Sequence, residues 1–136
     1  MAETTLFELV SPDSLIMSKE VTMVVVPGAE GLFGVLPRHS PLLSTLIPGV
    51  IDVYEGSSIT DRIFIPNGFA EVTGERCTVL TEKATPADEL DLEGLDKEIE
   101  AKLNELKESS GEDEDRLKRV IAEQKVVLTA MRNANI

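Results

Sequence analysis

Residues 76–95 read RCTVLTEKATPADELDLEGL, and the character of the chain changes inside them. Arg76–Glu82 is a short β-branched run of the kind that forms a strand. Thr85-Pro86-Ala87-Asp88-Glu89 then reads as a helix start, with a Thr cap, Pro at the first helical position and acids in the first turn. Everything before this point carries one periodicity and everything after it another.

Upstream, TTLFELV, SLIMSKE, VTMVVVP, FGVLP, PLLSTLI, GVIDVYE, TDRIFIP, GFAEVT and RCTVLTE are β-rich runs separated by SPD, PGAEG, PRHS, PG, EGSS, PNG and GE. Turn residues recurring at this interval predict an all-β sandwich or barrel. Val50-Ile51-Asp52-Val53-Tyr54 and Asp61-Arg62-Ile63-Phe64-Ile65 alternate, so every second side chain can face a core. About ten short strands in this length imply tightly connected antiparallel sheets packed face to face. Downstream, Leu92, Leu95, Ile99, Leu103 and Leu106 form one helical stripe. Ser109-Ser110-Gly111 breaks it, and after Glu112–Asp115 a second stripe follows through Leu117, Ile121, Gln124, Leu128 and Met131. The expected fold is therefore an antiparallel β-sandwich over residues 1–84 followed by a two-helix antiparallel hairpin over 85–136. Such narrow stripes leave a hairpin too little buried surface to be rigid alone, so it must lean on the sandwich or on a partner.

Composition limits what such a protein can do. The chain has 136 residues, enough for one domain with a real core or a small domain plus an appendage, and its apolar fraction of 42% with four Phe, one Tyr and no Trp describes an aliphatic core. No apolar run approaches the roughly 20 residues of a membrane span. The start, MAETTLFELVSPDS, has neither the basic and apolar blocks of a signal peptide nor the arginines of a transit peptide, so the chain is expected to stay where it is made. A net charge of -12 opposes nucleic-acid binding. The charge is uneven: residues 88–110 and 112–115 are acidic, whereas residues 116–136 carry five bases and one acid. An opened hairpin would offer Arg116, Lys118, Arg119, Lys125 and Arg132 to an acidic partner.

Few residues suit catalysis. Cys77 is the single cysteine, which excludes an internal disulfide and a Cys-based zinc site, and its setting in RCTVL reads as a buried strand position. Gly28, Gly31 and Gly34 follow a strand but lack the spacing, the lysine and the following helix of a phosphate loop; chain reversal accounts for them better. His39 is the only histidine and has no companion for a metal site and no nucleophile motif. The acids at 112–115 lack the ligand ladder and central glycine of a calcium loop and suit a helix N-terminus instead. No catalytic residue, metal site or cofactor is expected.

The segment VVVPGAEGLFGVLPRHSPLLSTLIPGVIDV adds a specific likeness. Its Glu30, Gly31, Gly34, Val35, Leu36, Pro37, His39, Pro41 and Leu42, with Leu46, Pro48, Gly49, Val50 and Ile51 beyond, closely resemble the pattern of the epsilon-subunit family of F-type ATP synthases, and the resemblance runs the length of the chain. It implies a non-catalytic rotor subunit of the central stalk that couples transmembrane ion flow to ATP synthesis. The implied partners are the gamma subunit, the membrane rotor ring and, through the C-terminal arm, the alpha and beta head subunits. By the same resemblance Glu30, Gly31, Leu32, Phe33, Gly34 and His39 face the ring, and Ser11 lies near gamma. Leu32 stands where many members carry a polar or acidic residue. The implied location is peripheral, on the cytoplasmic face of a bacterial inner membrane, reached only through the complex.

The resemblance also bears on nucleotide. Some members bind ATP in the folded hairpin through I-D-x-x-R-A; here the matching Leu92–Lys97 has Asp96 in the arginine's place, a charge that repels phosphate, and no tight ATP binding is expected. An inhibitory role of the C-terminal helices on ATP hydrolysis remains an expectation, favoured by the basic second helix. Two other classes compete. One is a factor whose acidic hairpin tip, Glu112–Asp115, enters the active site of another machine such as RNA polymerase; the other, a cupin-type enzyme, needs several histidines.

Overall fold

The computed structural model describes residues 3–133. Nine strands of five to eight residues come first: β1 (Thr5–Ser11), β2 (Ser14–Val21), β3 (Met23–Gly28), β4 (Gly31–Val35), β5 (Leu42–Leu46), β6 (Gly49–Glu55), β7 (Ser58–Ile65), β8 (Gly68–Val72) and β9 (Arg76–Leu80). A two-residue strand, β10 (Thr85–Pro86), leads through a single 3-10 turn at Ala87–Glu89 to the helices α1 (Leu92–Leu106) and α2 (Glu112–Asn133).

The strands form one hydrogen-bonded path, β10-β7-β6-β3-β5-β8-β9-β1-β2, with β4 paired to β3. Alternation sets which side chains go inside. On β1, Thr5, Phe7 and Leu9 are buried, and Phe7 and Leu9 join Cys77 and Val79 of β9 and Ile51, Val53, Ile63 and Ile65 of β6 and β7 in one core. The sheet curls until its ends meet: Lys19 of β2 bonds to Asp61 and Thr60 of β7 and lies 3.5 Å from Glu55 of β6. The result is a sandwich made from one sheet folded over its own core.

Pairing is antiparallel except between β1 and β9, which run parallel from Leu6↔Arg76 to Val10↔Leu80. Inward and outward positions alternate identically in both kinds of ladder, so this pair does not announce itself in the sequence.

The helices depart from expectation at their start. Thr85 and Pro86 do not cap and open a helix; they pair with Phe64 and Ile63 of β7. Pro86 is extended, with φ -54° and ψ 135°, and a residue without an N–H is tolerated on such an edge. The cap of α1 is Asp91, whose Oδ1 accepts a hydrogen bond from the Gly94 N–H at 3.0 Å. Gly94 makes that approach possible, because a Cβ there would lie 2.5 Å from the Asp91 Oδ2. α1 is thus 15 residues long against 22 for α2.

The acids Glu112–Asp115 occupy the first turn of α2, where the helix dipole favours them. Ile99, Ile121 and Leu128 form the hairpin's own core with Leu92, Leu95 and Leu106. Gln124, the polar member of the α2 stripe, accepts from Lys102 Nζ at 3.0 Å and donates to Glu98 Oε2 at 2.9 Å. Leu103 stays partly exposed, so the α1 stripe is incompletely covered.

Candidate interaction surface

The residues that sequence reasoning singled out fall into three places. Glu30 is exposed in the turn that joins β3 to β4, where Gly28 pairs with Gly31. Gly31 has φ +131°, a conformation that L side chains rarely adopt. The tip lies along β5: the Ala29 N–H donates to the Thr45 carbonyl at 2.9 Å, and Glu30, Gly31, Leu32 and Phe33 share a hollow with Leu42 and Leu43. Leu32 and Leu43 are each 71% exposed, so the hollow has an apolar lip. Gly34, next on β4, faces Met23, whose sulfur would lie 3.4 Å from an added Cβ.

His39 does not line that hollow. It lies in the β4–β5 loop after Arg38, which adopts φ +65° and donates its N–H to the Gly74 carbonyl at 3.0 Å. The His39 Nδ1 lies 2.7 Å from the Ser40 carbonyl, and the His39 N–H donates to Leu36 at 3.1 Å. The ring is engaged with its own loop. Among the described residues no group of three or more His, Cys, Asp or Glu side chains is arranged to hold a metal ion.

Ser11 ends β1 at the rim of a second, more apolar hollow, between Pro12 and the paired side chains Phe69 and Leu80. The ladders run Thr45↔Phe69, Phe69↔Leu80, Leu80↔Val10 and Val10↔Leu15, so these five positions form one row across β5, β8, β9, β1 and β2. Phe69 is 52% exposed, Leu80 48% and Leu15 57%, with Leu43 flanking the row. Apart from Thr45 the row is apolar, and such an outward row across four strands marks a binding surface more strongly than the same residues scattered singly.

The floor of this hollow is pinned. Thr81 Oγ1 lies within hydrogen-bond reach of the Asn67 carbonyl at 2.8 Å and the Lys83 carbonyl at 3.0 Å, while its N–H donates to Val10 at 3.0 Å. Gly68 has φ +154°, and an added Cβ would lie 2.2 Å from the Leu80 carbonyl oxygen. Phe69, Leu80, Leu15 and Leu43 were not singled out from the sequence, yet a signal was present. With Ala70 and Val72 inside, Phe69 must point out; with Cys77 and Val79 inside, so must Leu80.

Three of the five basic residues of α2 are engaged in local contacts. Arg116 lies 3.8 Å from Asp113, Lys118 3.0 Å from Glu114, and Arg132 bridges to Asp96 of α1 at 3.1 Å. Arg119 and Lys125 are exposed on the same helix. Cys77 is fully buried, and burial pushes its thiol up to about 12.

Comparison with known proteins gives this architecture its family. Residues 4–87 match the family model of the ATP synthase delta/epsilon chain, beta-sandwich domain. The ATP synthase epsilon chain of Rhodospirillum rubrum is 53% identical over 114 residues, covering 84% of this chain and 85% of that one. That of Rhodospirillum centenum is 48% identical over 121 residues, covering 85% and 83%. A similar fold occurs in the cryo-EM structure of the Euglena gracilis mitochondrial ATP synthase, OSCP/F1/c-ring, with TM-score 0.77 and 22% identity over 98% of this chain and 82% of that one.

The family match and the high identity to these relatives define a non-catalytic subunit of a rotary ATP synthase. The chain belongs to the epsilon-chain family of the F-type enzyme, whose complex is membrane-associated. No helix among the described residues is long and apolar enough to cross a membrane. The polymerase-factor alternative finds no support in these comparisons.

Proposed function

We propose that residues 1–84 form the fixed part of the rotor and residues 85–136 a regulatory arm, the whole seated on the cytoplasmic face of a bacterial inner membrane. The sandwich binds the gamma subunit through the row that includes Phe69 and Leu80, with Ser11 at its edge. The β3–β4 tip, with Glu30, Gly31, Leu32, Phe33 and Gly34, meets the membrane rotor ring, and His39 shapes the adjoining loop. One observation carries this reading: the outward apolar row around Phe69 and Leu80 and the apolar lip at Leu32, which adjoin through Leu43 and Thr45, give the sandwich two neighbouring surfaces suited to two partners. The lip is uncharged at Leu32, which favours apolar packing over an ion pair there.

The arm is the part suited to reach the alpha and beta subunits, through Arg116, Lys118, Arg119, Lys125 and Arg132, and to restrain ATP hydrolysis. Cysteines placed at Ser11 and at Leu32 test the two-surface reading in the assembled enzyme, because the native Cys77 is buried. Position 11 should cross-link to gamma and position 32 to a ring subunit. The same product from both positions would discard it. Deleting residues 86–136 should raise ATP hydrolysis, and an unchanged rate would remove the inhibitory role.

A further inference from the structure

Pro66-Asn67 carries the chain from β7 to β8 and forms the wall between two hollows. Asn67 and Glu82 line both, the one beside Ser11, Phe69 and Leu80 and the one beside Phe64, Pro66 and Val127. The Thr81 hydroxyl lies 2.8 Å from the Asn67 carbonyl and holds the main chain there, while the Asn67 side chain is exposed. Gly68 is the first residue of β8, where the ladder to β5 ends at Leu46↔Gly68. The fold demands different things of the two positions. Gly68 admits no side chain, because an added Cβ would lie 2.2 Å from the Leu80 carbonyl oxygen. Asn67 is not needed for its tolerance of the left-handed region, since among the described residues Arg38 is the only non-glycine with positive φ.

An exposed asparagine ahead of an obligatory glycine sets up a reaction within the chain. The Gly68 amide nitrogen, with no Cβ beside it to hinder approach, loses its proton to solvent base and attacks the carboxamide carbon of Asn67. A C–N bond forms to that nitrogen, the carboxamide C–N bond breaks, and the amine takes a proton from water and leaves as ammonia. Water then opens the five-membered imide at either carbonyl, giving aspartate or isoaspartate at position 67.

We propose that Asn67 is a deamidation site of the unassembled chain, and that the carboxylate formed there weakens docking at the Phe69–Leu80 row. The new charge stands at the edge of that row and beside Glu82 in both hollows, so a partner seated on it has to strip water from two neighbouring acids. Isoaspartate does more, because it inserts a methylene into the main chain at the carbonyl that Thr81 grips. A seated partner covers the turn and restrains the same side chain. Assembled chains are therefore spared, and chains that wait for a partner accumulate the change. The effect on docking rests on the gamma-binding reading above; the chemistry at Asn67 does not.

Mass-spectrometric peptide mapping of the purified full chain, held in mildly alkaline buffer, tests the site. Asn104 is the internal control, because it is equally exposed but lies within α1. Asn67 should convert about ten-fold faster than Asn104, whose following amide belongs to a helix that must open before it can react. The mass change should be absent from that peptide in Asn67→Ser. Conversion of Asn67 no faster than that of Asn104 overturns the site. Titration against gamma tests the consequence: Asn67→Asp should bind about ten-fold more weakly than the native chain, and Asn67→Ser at native strength. Native affinity in Asn67→Asp, with conversion observed, keeps the site and overturns its effect on docking. Native affinity in Phe69→Glu overturns the gamma-binding reading instead, and the conversion rate at Asn67 is then judged by itself.

Discussion

Phe69 on β8 and Leu80 on β9 stand opposite each other across their ladder, both about half exposed, while their neighbours Ala70 and Val79 pair on the buried face. Apolar side chains on both sides of a strand are expected where one side faces the core and the other is covered by a partner. Phe69 therefore separates folding from binding. Phe69→Glu should leave the melting temperature of the isolated chain within a few degrees of native, because the side chain already lies at the surface. It should weaken association with gamma by about 30-fold, as loss of an aromatic anchor at an interface does. A titration of the variant against gamma checks this, and native affinity would remove Phe69 from the interface.

Gly68, one residue earlier, is fixed for a different reason. Its φ of +154° and the 2.2 Å that would separate an added Cβ from the Leu80 carbonyl oxygen leave no room for a side chain. Gly68→Ala should cost roughly 3 kcal/mol of unfolding free energy, since both backbone strain and a backbone clash have to be relieved. Gly74, with open space around its Cβ position, is the control, and Gly74→Ala should change stability by about 0.5 kcal/mol or less. Urea unfolding of the two variants measures the difference, and equal midpoints would contradict the geometry at Gly68.

Two groups tie stability to alkaline pH in the same direction. The hydrogen bond from Lys19 to Asp61, with the Asp61 and Glu55 charges, raises the lysine above its ordinary 10.5 against a smaller opposing effect of burial. A cation stabilised in the fold contributes fully below the unfolded value and is lost as pH rises through the folded one. Burial raises Cys77 from 9.0 to about 12, so an unfolded chain releases the thiol proton first and gains relative to the fold above pH 9. Unfolding free energy should be flat from about pH 7 to 8.5 and fall from about pH 9 upward. Cys77→Ala should flatten the portion between 9 and 12, and Lys19→Met the portion above 10.5. A profile of the native chain that is level to pH 11 would refute both.

The sandwich was legible because a period of two is hard to counterfeit: Ile51, Val53, Ile63 and Ile65 lie inside as alternation requires. A change of period between Glu82 and Leu92 was visible in the sequence, but the helix start was not. Thr85-Pro86 carries the chemistry of a cap, and the free edge of β7 claims it first. Propensity yields there to a tertiary contact that no local window contains. The Phe69–Leu80 row was present as apolar residues on outward positions, and it is recognisable only once strand order places β8 beside β9 and β9 beside β1. Gln124 read as one more member of a stripe; its bonds to Lys102 and Glu98 depend on hairpin register. The Asp96–Arg132 pair depends on that register too, across a turn whose length alone does not set it. The loop residues from Glu30 to His39 were carried by resemblance. Chain geometry separates them, bringing Glu30–Phe33 against Leu42 and Leu43 and leaving His39 in its own loop.

The account stands on this chain being the rotor subunit that joins gamma to the membrane ring. Recovery of the affinity-tagged full chain from solubilised membranes of its own cells, followed by identification of what comes with it, tests that most directly. Gamma, the ring subunit and the alpha and beta subunits are predicted to be retained together, with gamma and the ring subunit lost when Phe69→Glu and Leu32→Glu are combined. Recovery of the chain alone, or with RNA polymerase in place of these subunits, would contradict it.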